Sequence, residues 1–239
     1  MSIAEKTVTI SANNTTIAEN EQKVYDAGKK AQYDEFWDSF QDYGKRTNYS
    51  QTFANRGWTV ENFEPKYDMR PTTAYQMFYQ LGFNNDEYKS LNLKSALENS
   101  GATLDFSKAT DMRYCFQTSK ISCLPVIDLS SATSLQATFC NMYWLKSIEK
   151  IIVNENTEFS NTCFSNCYAN SVIFEGALGC NLIYKTTTLD YESVISIMSI
   201  LVDYSGTEVT RTLTFNANTK AKLSESDIAI ANQKGWTIA

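Results

Sequence analysis

Apolar-x-apolar triplets recur along the chain from residue 91 onward: LNL (91–93), LDF (104–106), IDL (127–129), IIV (151–153), VIF (172–174), LIY (182–184), LTF (213–215) and WTI (236–238). Each reads as one short strand, because a strand sends alternate side chains to opposite faces. Two triplets lie inside a longer echo: LDFSKATDMRYCF (104–116) returns as IDLSSATSLQATF (127–139). Asp105, Ser107, Ala109, Thr110 and Phe116 recur in register as Asp128, Ser130, Ala132, Thr133 and Phe139. A period of about 20 to 29 residues with one short strand per unit predicts an α/β repeat of the leucine-rich-repeat class, stacked into a parallel sheet. The outer residues of each triplet are expected in the core. The middle ones (Asn92, Asp105, Asp128, Ile152, Ile173, Ile183, Thr214 and Thr237) are expected on an exposed face.

Between strands runs a turn of pattern A-T-x-apolar-x-x-x-F: Ala109, Thr110, Met112 and Phe116, then Ala132, Thr133, Leu135 and Phe139. Phe159 and Phe164 belong to a looser copy, and TTAYQMFYQ (72–80) is a half-copy with Met77 and Phe78. The phenylalanines are expected to stack into a spine. Cys115 and Cys163 each precede one of them, as Met77 does, and read as small buried hydrophobes.

The flanks carry other periods. Residues 3–10 alternate enough for a strand, and Thr16 with Glu19 has capping-box spacing for a helix running to about Tyr43, with Gly44 as its stop. Ile17, Val24 and Ala31 recur once per heptad, forming a thin stripe that suits pairing with another helix and allows a homotrimer. Tyr33, Phe36, Trp37, Phe40 and Tyr43 then widen it into an aromatic face, which core packing within one chain explains equally well. Residues 45–70 read as an aromatic-rich loop or hairpin closing the amino-terminal end of the stack. Beyond residue 184, Asp190 opens a helix (Val194, Ile197, Met198, Leu201) ending near Ser205 and Gly206. Ser224 opens another, which Gly235 closes. The expected organisation is attachment segment 1–44, cap 45–70, repeats 71–184 and helical cap 185–239.

Composition narrows the function. The net charge of -6 and pI near 4.8 leave no basic surface for a phosphate backbone, so neither nucleic acid nor an anionic membrane is an expected partner. No apolar run approaches the ~20 residues of a membrane span, and MSIAEKTVTISANN does not read as a secretion signal. The chain has no histidine, which removes Ser-His and Cys-His nucleophiles and histidine metal ligation. Of six cysteines only Cys163 and Cys167 are close, without a second pair to complete a zinc site, so free thiols and no cofactor are expected.

Three groups could meet a partner. Asp105 and Asp128, as middle residues of adjacent strands, could approach the ~5–5.5 Å of a retaining glycosidase pair; alternatively they cap turn amides or stay solvated. Ile152, Ile173 and Ile183 would form an apolar patch large enough to imply contact, unless capping helices or another subunit cover it. Tyr143 and Trp144, in the turn of the second unit, are the third.

The units KATDMRYCFQTSKISCLPVIDLS and SATSLQATFCNMYWLKSIEKIIVN resemble the BspA-like leucine-rich repeats, over roughly residues 71–184. Cys167, three after Phe164, occupies the family's cysteine position; Cys140 is displaced from it, and Gln117, Thr118 and Ser119 lack it. The ends, IAENEQKVYDAGKKAQYDEFWDSFQDYG with NRGWTVENFEPKYD, and DYSGTEVTRTLTFNANTKAKLSESDIAIANQKGWTIA, resemble phage and prophage proteins of Gram-positive gut bacteria. The resemblance implies a non-enzymatic virion component, assembled in the bacterial cytoplasm, whose repeats bind other virion proteins or a host-surface protein or glycan. The wider BspA-like class implies a bacterial surface adhesin instead, which would normally carry a signal peptide and an anchor.

Overall fold

The structure, a computed structural model, describes residues 15–16, 19–20, 23, 28, 31, 34–37, 46–56, 63–83 and 90–239. The chain divides into two compact units, Met1–Asp42 and Tyr43–Ala239. In the first, the described residues between 15 and 37 are all helical in conformation and Ala31 is exposed. Trp37 is buried and meets the Phe36 ring edge-on at 5.5 Å. The expected strand at 3–10, the unbroken helix to Tyr43, and the stripe positions Ile17 and Val24 lie outside the described residues.

The second unit is an α/β fold with parallel sheets. Strands β1 (Leu91–Asn92), β2 (Ile121–Asp128), β3 (Ser147–Val153) and β4 (Ser171–Gly176) pair in chain order, each parallel to the next. Strands β5 (Leu182–Tyr184), β6 (Arg211–Phe215) and β7 (Trp236–Ile238) make a separate parallel sheet. Four helices complete the described part of this unit: α1 (Leu93–Ser100), α2 (Tyr191–Ser199), α3 (Ala217–Lys220) and α4 (Glu225–Gln233). Parallel neighbours need a long return path, and here most of that path is a turn that stacks on the turn before it.

The turns are the most regular feature. Residue pairs four apart adopt positive φ in successive copies: Gln51 and Asn55, Gln76 and Gln80, Tyr114 and Thr118, Ala137 and Asn141; a fifth copy has Asn166. For non-glycine residues this conformation costs roughly 1–2 kcal/mol each. Hydrogen bonds between copies offset it. Four spine phenylalanines donate their N–H to the following layer: Phe53 to Met77 O (2.8 Å), Phe78 to Cys115 O (2.7 Å), Phe116 to Thr138 O (3.0 Å) and Phe139 to Cys163 O (2.9 Å). The rings follow their backbones. Phe53, Phe78, Phe116, Phe139 and Phe164 stack at centroid distances of 5.0, 5.3, 5.6 and 5.1 Å, all within 18° of parallel. The expected spine is present.

The A-T dipeptide of the echo also gains a cause. Thr72, Thr110 and Thr133 each give both N–H and hydroxyl to the carbonyl of the preceding threonine, Thr47, Thr72 and Thr110 respectively. The N–H bonds are 2.8, 3.0 and 2.9 Å long. Ala109 and Ala132 beside them are buried.

Several expectations need correction. Residues 46–56 are turn rather than hairpin, and they lie on residues 72–80 as a further layer, with Phe53 stacked on Phe78. LDF forms no strand of the sheet: Leu104 makes only an isolated bridge to Met69. LNL is strand only to Asn92, whose side chain turns to cap α1 by accepting the Ser95 N–H at 3.0 Å. The triplets also do not share one sheet, because the ladder stops at β4. There α2 lies along the edge, and the amides of Val172 and Phe174 donate to Ser193 Oγ (2.8 Å) and Ser196 Oγ (3.0 Å). Hydroxyls satisfy an edge that would otherwise recruit a strand.

The carboxyl-terminal helices start where expected. Asp190 caps α2 by accepting the Ser193 N–H at 2.8 Å. Ser224 with Asp227 forms a full capping box on α4. α2 ends at Ser199, earlier than expected, because Leu201 leaves it to bridge Leu178.

Short acidic side chains pin many of these turns. Hydrogen bonds hold their carboxyls below the usual range: from the Thr103 hydroxyl and amide for Asp68, from Ser107 for Asp105, from the Arg113 side chain for Asp111 and from Ser224 for Asp227. A depressed folded-state pKa contributes stability that is present above the unfolded value of about 3.9 and lost as pH falls through the folded one. The thermal midpoint is therefore expected to be flat from about pH 7 to 5 and to fall steadily below about pH 4. A scan by circular dichroism across that range checks this; a midpoint unchanged down to about pH 2.5 would remove these contacts from the stability account.

Candidate binding surface

Two columns run along the outside of the turn stack. Asn141 and Asn166 occupy the second left-handed position of successive layers, and the Asn166 Nδ2 donates to Asn141 Oδ1 at 2.9 Å. Two residues further on in each layer stand Tyr143 and Tyr168, 48% and 47% exposed, with ring centroids 5.8 Å apart. The Tyr143 hydroxyl reaches Asn141 Oδ1 at 3.2 Å, which orients its ring. Trp144 meets Tyr143 edge-on at 6.1 Å, and the Lys120 ammonium lies over the indole at 5.4 Å. Lys120 holds in its layer the place that Tyr143 and Tyr168 hold in theirs.

The result is a surface of two solvent-facing phenol rings beside an indole, an ammonium and a pair of amides. Rings of this kind give large contact area at low conformational cost, and the amides supply directional polar contacts. The sequence candidates Tyr143 and Trp144 are brought together here. Tyr168 is absent from those candidates, though its signal is legible: NMY (141–143) returns as NCY (166–168), one layer later.

The carboxylate candidates are engaged by the backbone. Asp105 Oδ1 accepts the Ser107 N–H and Asp128 Oδ1 accepts the Ser130 N–H, both at 2.9 Å. Of the two readings for the repeated aspartate, turn capping is the one the geometry carries. Asp105 also lines a cleft of about 630 Å³ with Arg46, Tyr67, Asp68, Arg70 and Lys108. That cleft is amphoteric, and Asp68 within it is tied to Thr103 by both amide and hydroxyl.

The isoleucine row is corrected. Ile152 is paired with Asp128 on one side and Glu175 on the other, not with Ile173. A register shift in β3 between Ile148 and Ile151 moves the two strands out of step. Ile183 belongs to the second sheet, opposite Thr214. All three are half-buried, and Ile183 lies in a different sheet from Ile152 and Ile173.

All six cysteines are free. Burial pushes the Cys115 thiol well up and that of Cys167 up to about 11, with the Tyr184 hydroxyl 3.4 Å from the Cys167 sulfur. Among the described residues no group of Cys, Asp or Glu is placed to hold a metal ion, and no helix is long and apolar enough to cross a membrane. No family model matches the chain, and neither the curated proteins nor the solved structures contain a match.

Proposed function

We propose that this chain is a non-enzymatic display scaffold: a BspA-like leucine-rich-repeat solenoid with an amino-terminal attachment helix, carried on a phage or prophage virion. Its partner is a host-surface molecule or another virion protein. The solenoid reading is supported by the layered turns, in which phenylalanine and alanine recur at buried positions and threonine at the layer-to-layer hydrogen bonds, while other outer positions vary. The observation that carries the binding role is the Tyr143 and Tyr168 column, which is exposed although nothing in the packing of the layers requires tyrosine there. A surface that repeats its interior and varies its exterior is suited to presenting contacts on a rigid frame.

The test is binding of the fluorescently labelled protein to Gram-positive host cells. Replacing Tyr143 and Tyr168 together by alanine is expected to weaken binding about 30-fold or more, the usual effect of losing aromatic anchors. The far-ultraviolet spectrum should stay unchanged, because both rings are outside the core. Equal binding by the double variant would move the partner surface elsewhere, and no binding by the unaltered protein would overturn the host-surface reading.

A further inference from the structure

The turn stack has an open end, and its chemistry selects a ligand. In each of the first four layers the spine phenylalanine gives its N–H to a carbonyl of the next layer. Phe164 is in the last layer, and among the described residues its N–H has no acceptor. The neighbouring column shows the same interruption with a repair. Asn55, Gln80, Thr118 and Asn141 donate their N–H groups to the next layer's carbonyls, at 2.8, 3.0, 3.0 and 2.8 Å. Asn166, lacking a next layer, donates to the Thr186 hydroxyl at 3.0 Å. That leaves the Thr186 hydroxyl proton available to a further acceptor.

A cleft of about 250 Å³ opens at this place, and Asn161, Phe164, Asn166, Ile183, Lys185 and Thr186 stand in its walls. It holds one ammonium, several hydroxyl and amide groups, and no carboxylate, in a chain whose net charge is -6. The unpaired amide, the Thr186 hydroxyl and Lys185 are donors, and together they suit an anionic acceptor. Ile183 supplies an apolar wall, and the side-chain oxygens of Asn161 and Asn166 can accept hydroxyl protons. Volume and lining together fit a single ring that carries both a charge and hydroxyls.

We infer that this cleft binds the acidic residue of a saccharide, with a ring carboxylate against Lys185 and the open-end donors. This deepens the display reading and rests on it for the partner being an envelope glycan; Asn166 leads from the cleft through Asn141 to the Tyr143 hydroxyl. The site itself is tested on the purified full chain, wherever the scaffold is displayed. A negative result here therefore leaves the cell-binding test of the scaffold standing.

Calorimetric titration with glucuronate, glucose and inorganic phosphate in low salt tests it. Glucuronate should bind saturably and glucose about tenfold more weakly, the effect of one charge-assisted contact. Lys185→Gln, at an exposed position, should lower glucuronate affinity by about the same factor and leave the melting curve unchanged. Equal binding of glucose and glucuronate, or no effect of the substitution, would overturn the assignment. Phosphate binding as tightly as glucuronate would overturn its saccharide part, and no binding of any probe would overturn it entirely.

Discussion

Replacing Phe116 with alanine is expected to cost about 3–5 kcal/mol of unfolding free energy, the range for a fully buried aromatic truncated to a methyl group. The ring is 0% exposed and sandwiched between Phe78 at 5.3 Å and Phe139 at 5.6 Å, with Phe106 edge-on at 5.9 Å. Its neighbours cannot collapse freely into the gap, because backbone bonds of 2.7 to 3.0 Å tie each layer to the next. The cavity therefore persists, and a persistent cavity is what raises the cost above simple transfer. Against a total of about 5–15 kcal/mol for a folded chain, the variant should be close to unfolding at physiological temperature. Urea titration measures it. A loss under about 1.5 kcal/mol would mean that the layers relax independently and that the spine is not one core.

Gly176→Ala is expected to be the second severe change, with a loss of roughly 3 kcal/mol or more. Two causes coincide at this position. Its φ is +107°, and an added Cβ would lie 1.9 Å from the Val153 carbonyl oxygen. Residues with a side chain rarely adopt such a φ. The oxygen cannot retreat freely, because it accepts the Ala177 N–H at 3.1 Å at the end of the β3 and β4 ladder. The clash should unpair the strand ends next to the edge that α2 covers. Hydrogen exchange at Ala177 compared with Leu129 in the variant would locate the damage; uniform protection would show that the backbone absorbs the methyl group.

The columns of the turn stack are legible from the echo, for a definite reason. A layer that must accept bonds from one neighbour and give them to the next imposes the same residues each time. So Thr110 and Thr133, Ala109 and Ala132, and Phe116 and Phe139 recur in register. The first layer has its own signature, in QTFANRG (51–57) beside QMFYQLG (76–82), which share Gln, Phe and Gly at equal spacing. It is obscured because its surroundings are polar and punctuated by glycine and proline, the usual marks of a loop. The helix N-caps Asp190 and Ser224 are readable because capping is local, resolved within three residues. Asn92 is not: its leucines on either side fit a strand triplet, and only the capped Ser95 amide shows that the chain turns there.

The binding candidates divide in the same way. Tyr143 and Trp144 are visible as large residues in a turn, and Tyr168 joins them because identical positions of adjacent layers must lie side by side. The isoleucines look equally promising in sequence, since the triplet pattern assumes an unbroken register. One register shift in β3 and one helix along β4 break it, and neither leaves a mark in the triplets themselves.

The repeating layer and its buried residues are readable along the chain, because stacking makes every copy answer to the same hydrogen bonds and the same ring contacts. Where the stack ends is set by long-range packing. Whether Phe164 N–H meets a carbonyl depends on a later part of the chain, which supplies the Thr186 hydroxyl and Lys185 instead of another turn. A missing neighbour has no local signature, and the cleft it leaves is where this chain departs from its own pattern.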